Sequence, residues 1–220
     1  MRQPHESKYV PALGFHWLTP LYDSVVAATT RERTFKQALI EQAGIAPGHR
    51  VLDLASGTGT LAVRIKQREP LADVTGVDGD LRILALATRK AERADVAIRF
   101  DNALSHELPY PAAHFDRVVS SLFFHHLSWE NKQLTARELF RVMKPGSELH
   151  VADWGRATDV VMRGLFLVVQ LLDGFENTQD NVTGRLVPLF EGAGFADVSL
   201  RRTFSTAYGT MALYRAVKFG

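Results

Sequence analysis

Short β-branched runs alternate with longer amphipathic segments along most of this chain. A helical pattern over 21–43 stops at Gly44 and the Pro47-Gly48 turn, as helices do at glycine and proline. The apolar run 51–54 then predicts a strand, 60–67 a helix, 72–77 a strand and 81–93 another helix. Two further strands are expected at 96–100 and 117–120, with a long loop between them. The amphipathic stretch 129–143 reads as a helix halted by Lys144-Pro145-Gly146, followed by a buried strand at 148–152. This β-α-β-α rhythm predicts a parallel sheet with helices on both faces, a three-layer α/β/α sandwich.

The last third changes rhythm. An unusually apolar helix is expected at 159–172, a shorter one at 183–191, and a closing pair of strands at 196–203 and 208–218. No repeat, low-complexity tract or linker-like stretch interrupts the pattern, so 1–220 reads as one domain. The 46% apolar content is enough to fill its core. With 26 basic and 24 acidic side chains, the net charge of +2 is too balanced for a nucleic-acid binder that neutralises phosphates. The lack of cysteine excludes disulfides, iron–sulfur clusters and thiol nucleophiles. The amino-terminal stretch has no apolar core of a secretory signal. The longest oily stretch, 160–175, is broken by Arg163, Gln170 and Asp173 and falls short of the roughly 18 apolar residues of a membrane span. A soluble, cytoplasmic protein is the expectation.

The strongest local signal is 51–60, VLDLASGTGT, a strand running into a glycine-rich turn and a helix. Gly57 and Gly59 allow a tight turn and the close approach of a ligand. In an open α/β sheet such a turn lies at the carboxyl ends of the strands, where ligands bind. Asp53, inside the strand, would repel a pyrophosphate but suits a ligand carrying an amino group or a sulfonium. Asp78 closes the next strand about twenty residues on, where a carboxylate can accept both hydroxyls of a ribose. The competing role for Asp78 is a helix cap, which Asp80 could fill equally well.

Four stretches, VLDLASGTGT (51–60), VTGVDGDLRILALATRKA (74–91), LPYPAAHFDRVVSSLFFHHL (108–127) and ELFRVMKPGSELHVADW (138–154), together resemble the class I S-adenosylmethionine (SAM)-dependent methyltransferases. The resemblance is strongest to the small-molecule group containing the ubiquinone/menaquinone-biosynthesis methyltransferases. It implies a Rossmann-like, seven-stranded, mostly parallel sheet whose last strand is antiparallel. SAM would be the cofactor, S-adenosylhomocysteine the product, and a small, lipophilic molecule the acceptor. The resemblance puts Asp53, Ala55, Gly57 and Gly59 around the methionine part of SAM and Asp78 on the ribose. Gly79, Ile83 and Leu84 would lie by the adenine, with Asn102 and Ala103 at its edge. Ser120 and the following 122–126 would line the cofactor and acceptor. This chain departs from the family pattern in having Ala55-Ser56 for the usual glycine and cysteine, and Gly79 where an apolar residue is usual. The adenine edge is also altered, reading Asp101-Asn102-Ala103 with extra residues before Leu108.

Methyl transfer from a sulfonium is an in-line displacement that needs no covalent intermediate, so proximity and orientation supply much of the rate. If the acceptor holds its proton, His125 and His126 are the candidates for general base, since histidine titrates nearest pH 7. Asp153, at the end of the fifth strand, is the third catalytic candidate; packing is the plainer role for all three. Adjacent histidines are expected to point different ways. Because no metal-ligand spacing occurs in the sequence, no metal site is expected. The aromatic-rich 15–23 is expected to form a lid, with Tyr22 close to the cofactor, and 157–192 a cover over the acceptor. Methylation of a phospholipid amine, a nicotinamide-dependent oxidoreductase and a non-catalytic SAM binder remain alternatives. Membrane contact, oligomeric state and the methylated atom stay open at this point.

Overall fold

A computed structural model describes residues 31–220. The first described helix is α1 (Glu32–Ala43), which follows Arg31 at positive φ and ends at Gly44 in the left-handed conformation that glycine tolerates best; positions 21–30 of the helix expected over 21–43 lie outside the described residues. There follow β1 (Arg50–Leu54), α2 (Thr60–Arg68), β2 (Asp73–Asp78), α3 (Leu81–Arg93) and β3 (Arg99–Asn102). Next come β4 (Phe115–Ser121), a 3-10 turn (Phe124–His126), α4 (Trp129–Val142) and β5 (Met143–Trp154). Three helices, α5 (Val160–Asp173), α6 (Phe175–Val182) and α7 (Leu186–Gly192), precede the closing hairpin of β6 (Ala196–Thr206) and β7 (Gly209–Val217). Side chains cap the helices as their sequences suggest: Asp80 accepts from the Arg82 amide, Ser128 from Asn131 and Asp159 from Met162.

The seven strands lie in the order β3-β2-β1-β4-β5-β7-β6. Pairings from β3 through β5 are parallel, and β7 runs antiparallel to both β5 and β6. The expected Rossmann-like α/β sheet with an antiparallel last strand is therefore present. Period-two alternation divides its side chains between two cores. Leu52, Val118 and Val151 pack with Leu139, Val142 and Phe190 of α4 and α7 on one face. Val51, Val119 and Ala152 pack with Phe35, Leu39, Leu61 and Phe166 of α1, α2 and α5 on the other. The chain reverses direction across the sheet between β1 and β4, which opens a crevice at their carboxyl ends.

Three elements differ from expectation. Pairing of β3 begins only at Arg99, opposite Thr75, so Val96-Ala97-Ile98 leads into the strand without joining it. Strand β5 starts at Met143 rather than after the Pro145-Gly146 turn. Met143 pairs with Phe115, residues 144–147 form a bulge, and pairing with β4 resumes at Glu148. Helix α6 was not foreseen, because the residues it buries are Thr178, Asp180 and Asn181 as well as Val182, leaving no apolar period to read.

Candidate active site

The turn after β1 occupies the crevice. Ala55, Gly57 and Gly59 all have positive φ, at 53°, 53° and 75°. A β-carbon on Gly59 would stand 3.0 Å from the Ala87 β-carbon and 3.1 Å from Phe100, so this glycine lets α3 and β3 close on the turn. On Gly57 a β-carbon would meet none of the described residues within 4 Å. Among the described residues, Gly57 thus borders open space. Ala55 takes the left-handed conformation despite its methyl group, a backbone cost of about 1–2 kcal/mol relative to the favoured regions. Ala55→Gly is expected to stabilise the fold by about 0.5–1 kcal/mol in thermal denaturation, once the extra freedom of glycine in the unfolded chain is subtracted. Unchanged or lower stability would mean that the methyl group's contacts offset the strain.

Asp53 is buried, and its Oδ2 accepts the Ala62 amide at 3.0 Å, tying β1 to the first turn of α2. Burial pushes its pKa from 3.8 to about 7; Lys36 and the Ala62 amide act against that rise, and Asp78 adds to it. In the unfolded chain the group ionises near pH 4. Between about pH 4 and 7 the native state therefore holds the extra proton, and this residue's contribution to stability falls as pH rises through that window. Asp53→Asn keeps an acceptor for Ala62 and removes the titration. The variant should gain about 1–3 kcal/mol on the parent between pH 5 and pH 8 in urea unfolding. A difference between the two proteins that is constant with pH would sink this account.

Asp78 closes β2 with its carboxylate between two backbone donors: Oδ2 accepts from Gly57 and Oδ1 from Asp80, both at 3.0 Å. Burial raises its pKa, against the pull of those amides. A carboxylate offers about four lone-pair directions, so about two remain for other donors. The helix cap is Asp80, which frees Asp78 from that role. Gly79 and Ile83 are half-buried beside it, whereas Leu84 turns into the core. Asn102 donates its side-chain amide to the Asp78 carbonyl at 2.9 Å, and the Ala103 amide donates to the same oxygen at 3.2 Å. Asp101, the other candidate at this edge, is engaged by Tyr110 and Arg99. The Ser120 hydroxyl is fully buried and donates to the Leu54 carbonyl at 3.0 Å, bridging β1 and β4.

Across the crevice, the 3-10 turn after β4 folds around Asp153. Its Oδ2 accepts the amides of Phe123 and Phe124 at 3.1 and 2.7 Å, and its Oδ1 meets His125 Nδ1 and the Trp154 amide, each at 2.7 Å. Burial works to raise the Asp153 pKa, but His125 and the amides outweigh it and hold the group below the usual carboxylate range. Fully buried and fully engaged, Asp153 positions His125 rather than reaching an acceptor itself. The two histidines do not diverge as expected: their ring centroids lie 3.9 Å apart. Burial, with His125 alongside, pushes the His126 pKa down to about 3, so its ring is neutral at pH 7.

Two residues outside the sequence candidates complete this cluster. Asp173, the last residue of α5, brings Oδ2 to 3.7 Å from His125 Nε2. Asn177 of α6 donates to the His126 carbonyl at 3.3 Å. Neither carries a motif; the available signal was an acid ending an otherwise apolar helix, followed by glycine. Tyr22 and the expected lid at 15–23 lie outside the described residues.

The family model described as a methyltransferase domain matches residues 51–146, the span from β1 to the bulge in β5. A demethylmenaquinone methyltransferase of Thermus thermophilus is 42% identical over 105 residues, covering 48% of this chain and 47% of that protein. A ubiquinone/menaquinone biosynthesis C-methyltransferase of Shewanella pealeana is 26% identical over 228 residues, covering 93% of this chain and 89% of its own length. Residues 51–146 thus carry a methyltransferase domain, and the curated relatives above resemble this chain around it. The chain's match spans about half the length of the first curated relatives, 47% and 56%. The same methyltransferase fold recurs in a SAM-dependent methyltransferase from Aquifex aeolicus, with a TM-score of 0.62 and 18% identity over 83% of this chain and 89% of that one. Phosphoethanolamine N-methyltransferase 2 of Haemonchus contortus, solved with SAM, superposes with a TM-score of 0.69 and 17% identity, over 85% of this chain and 53% of its own. No described helix is long and apolar enough to cross a membrane.

Proposed function

We propose that this chain transfers a methyl group from SAM to a small, lipophilic acceptor. The observation that carries the reading is the open space over Gly57, next to a carboxylate with lone pairs to spare at Asp78, on the crevice between β1 and β4. When bound, SAM supplies an electrophilic methyl on a positively charged sulfur. The turn at Ala55 to Gly59 holds the methionine part, and Asp78 accepts the ribose hydroxyls. Asn102 and Ala103, anchored to the Asp78 carbonyl, border the adenine together with Gly79 and Ile83. Asp53 lies behind the turn as the nearest buried acid, and a cation bound there favours its ionised form. Ser120 serves by joining β1 to β4 beneath the cofactor.

The lipophilic acceptor is supported by two observations. Relatives are named for methylating demethylmenaquinone and for C-methylation in ubiquinone/menaquinone biosynthesis. Helices α5 and α6, which carry Asp173 and Asn177 to the histidine turn, also carry apolar side chains that the described residues leave uncovered, such as Val160 at 86% and Leu172 at 79% exposure. In this reading 157–192 is the acceptor cover. His126 is neutral at pH 7, but a pKa of about 3 makes it a weak base, so in this reading it lines the acceptor site rather than holding the acceptor's proton. Turnover of methyl-labelled SAM with demethylated quinones, simple phenols and phosphoethanolamine as acceptors tests the assignment. Label is expected in the quinones; transfer to phosphoethanolamine alone, or to none of the three, would overturn it.

A further inference from the structure

We propose that His125, His126 and Asp173 form a binding site for one divalent transition-metal ion, with Asp153 orienting the first imidazole. One ligand atom from each of the three residues lies within 4.8 Å of the others, and His125 Nε2 is 3.7 Å from Asp173 Oδ2. Ligand atoms sharing a metal at about 2.0–2.2 Å stand roughly 3–3.5 Å apart, so a contraction of roughly 1–2 Å at the widest point closes the set. No ligand spacing marks the set in the sequence, because the third ligand comes from the end of α5 and the two histidines share a turn that sets their rings side by side.

The surroundings are those of a ligand set rather than of an ordinary packed histidine pair. With the Asp153 carboxylate accepting a hydrogen bond from His125 Nδ1 at 2.7 Å, Nε2 is the nitrogen left to offer a lone pair, and it lies 3.7 Å from Asp173. A carboxylate behind a ligating imidazole fixes the ring's tautomer and raises its basicity. Asp153 is itself locked by three backbone amides, so the imidazole has one orientation. The Asn177 side chain ties α6 to the His126 carbonyl, and the Lys132 ammonium reaches the Asn177 carbonyl and Asp180, holding the helix pair against the turn. Two imidazoles and one carboxylate suit zinc, iron(II), cobalt or manganese better than calcium or magnesium, which prefer oxygen throughout. Three protein ligands leave positions for water or, resting on the methyl-transfer reading, for an oxygen of the acceptor.

Calorimetric titration of Zn2+ into tag-free protein at pH 7.5 is expected to give one site per chain. His126→Ala and Asp173→Ala should each weaken it at least 10-fold, with the circular dichroism spectrum retained. Absence of binding, or binding that survives both substitutions, overturns the proposal. Should either alanine variant fail to fold, the parent protein with Co2+ decides. Visible absorption bands of a four- or five-coordinate site are expected, and the spectrum of aqueous Co2+ counts against it. SAM affinity measured on the same protein reports on the Gly57 and Asp78 cradle alone, so failure of the metal site and failure of the methyl-transfer reading are separable.

Discussion

Gly57→Val is expected to fold and to lose SAM binding by about 100-fold or more, an affinity change of about 2.7 kcal/mol. The β-carbon has open space to enter, so packing tolerates it, but that space is where the ligand has to come. The backbone adds a smaller penalty, because φ at 53° disfavours any side chain and a β-branched one most. Gly59→Ala supplies the contrast. Its β-carbon would strike Ala87 and Phe100, so the variant should lose thermal stability first and ligand affinity only as a consequence. Calorimetry with S-adenosylhomocysteine and a thermal melt on both proteins separate the two effects. A Gly57→Val protein that binds at parental affinity would remove the turn from the cofactor site.

Asp78→Ala is expected to lower SAM affinity 10- to 100-fold, since hydrogen bonds to a charged group are worth about 1.5–3 kcal/mol. The two amides already held by Asp78 make the effect a compound one. Without the carboxylate, the Gly57 amide loses its partner, and the turn that cradles the ligand loosens along with the ribose contact. Asp78→Asn removes the charge but keeps part of the brace, because its remaining carbonyl oxygen still accepts from one of the two amides. It should bind between the parent and the alanine variant. Parental affinity in Asp78→Ala would leave the residue as a brace for the turn and nothing more.

Much of the fold was readable from residue spacing because each βα unit announces its own ends. Helix α3 lies where its apolar stripe and its cap at Asp80 predict, and the turn from β1 into α2 follows from its glycines. The places that escaped are those decided by partners distant in sequence. Where β3 begins is set by its pairing with β2, and β5 extends through Pro145 because β4 offers Phe115 to Met143. The same division runs through the site. Asp78 and Gly57 are legible as candidates because they sit on one βα unit and its neighbour, and the structure joins them by a hydrogen bond. The structural duty of Asp153 depends on a turn around it, and Asp173 enters from a helix packed over the sheet edge, neither of which leaves a mark on local sequence.

Strand β7 lies between β5 and β6, although it is made after both. During synthesis the nascent chain therefore exposes two unpaired strand edges until residues 209–217 have emerged from the ribosome. One edge ends in Ala152, Asp153 and Trp154, whose pairing with Met211 to Leu213 fixes the base of the histidine turn. The glycine turn between β1 and α2 can form earlier, from segments already complete. The protein should thus acquire its two halves in sequence, the β1–β2 side first and the Asp153 side last. During that interval it is most open to misassociation with another chain through those edges.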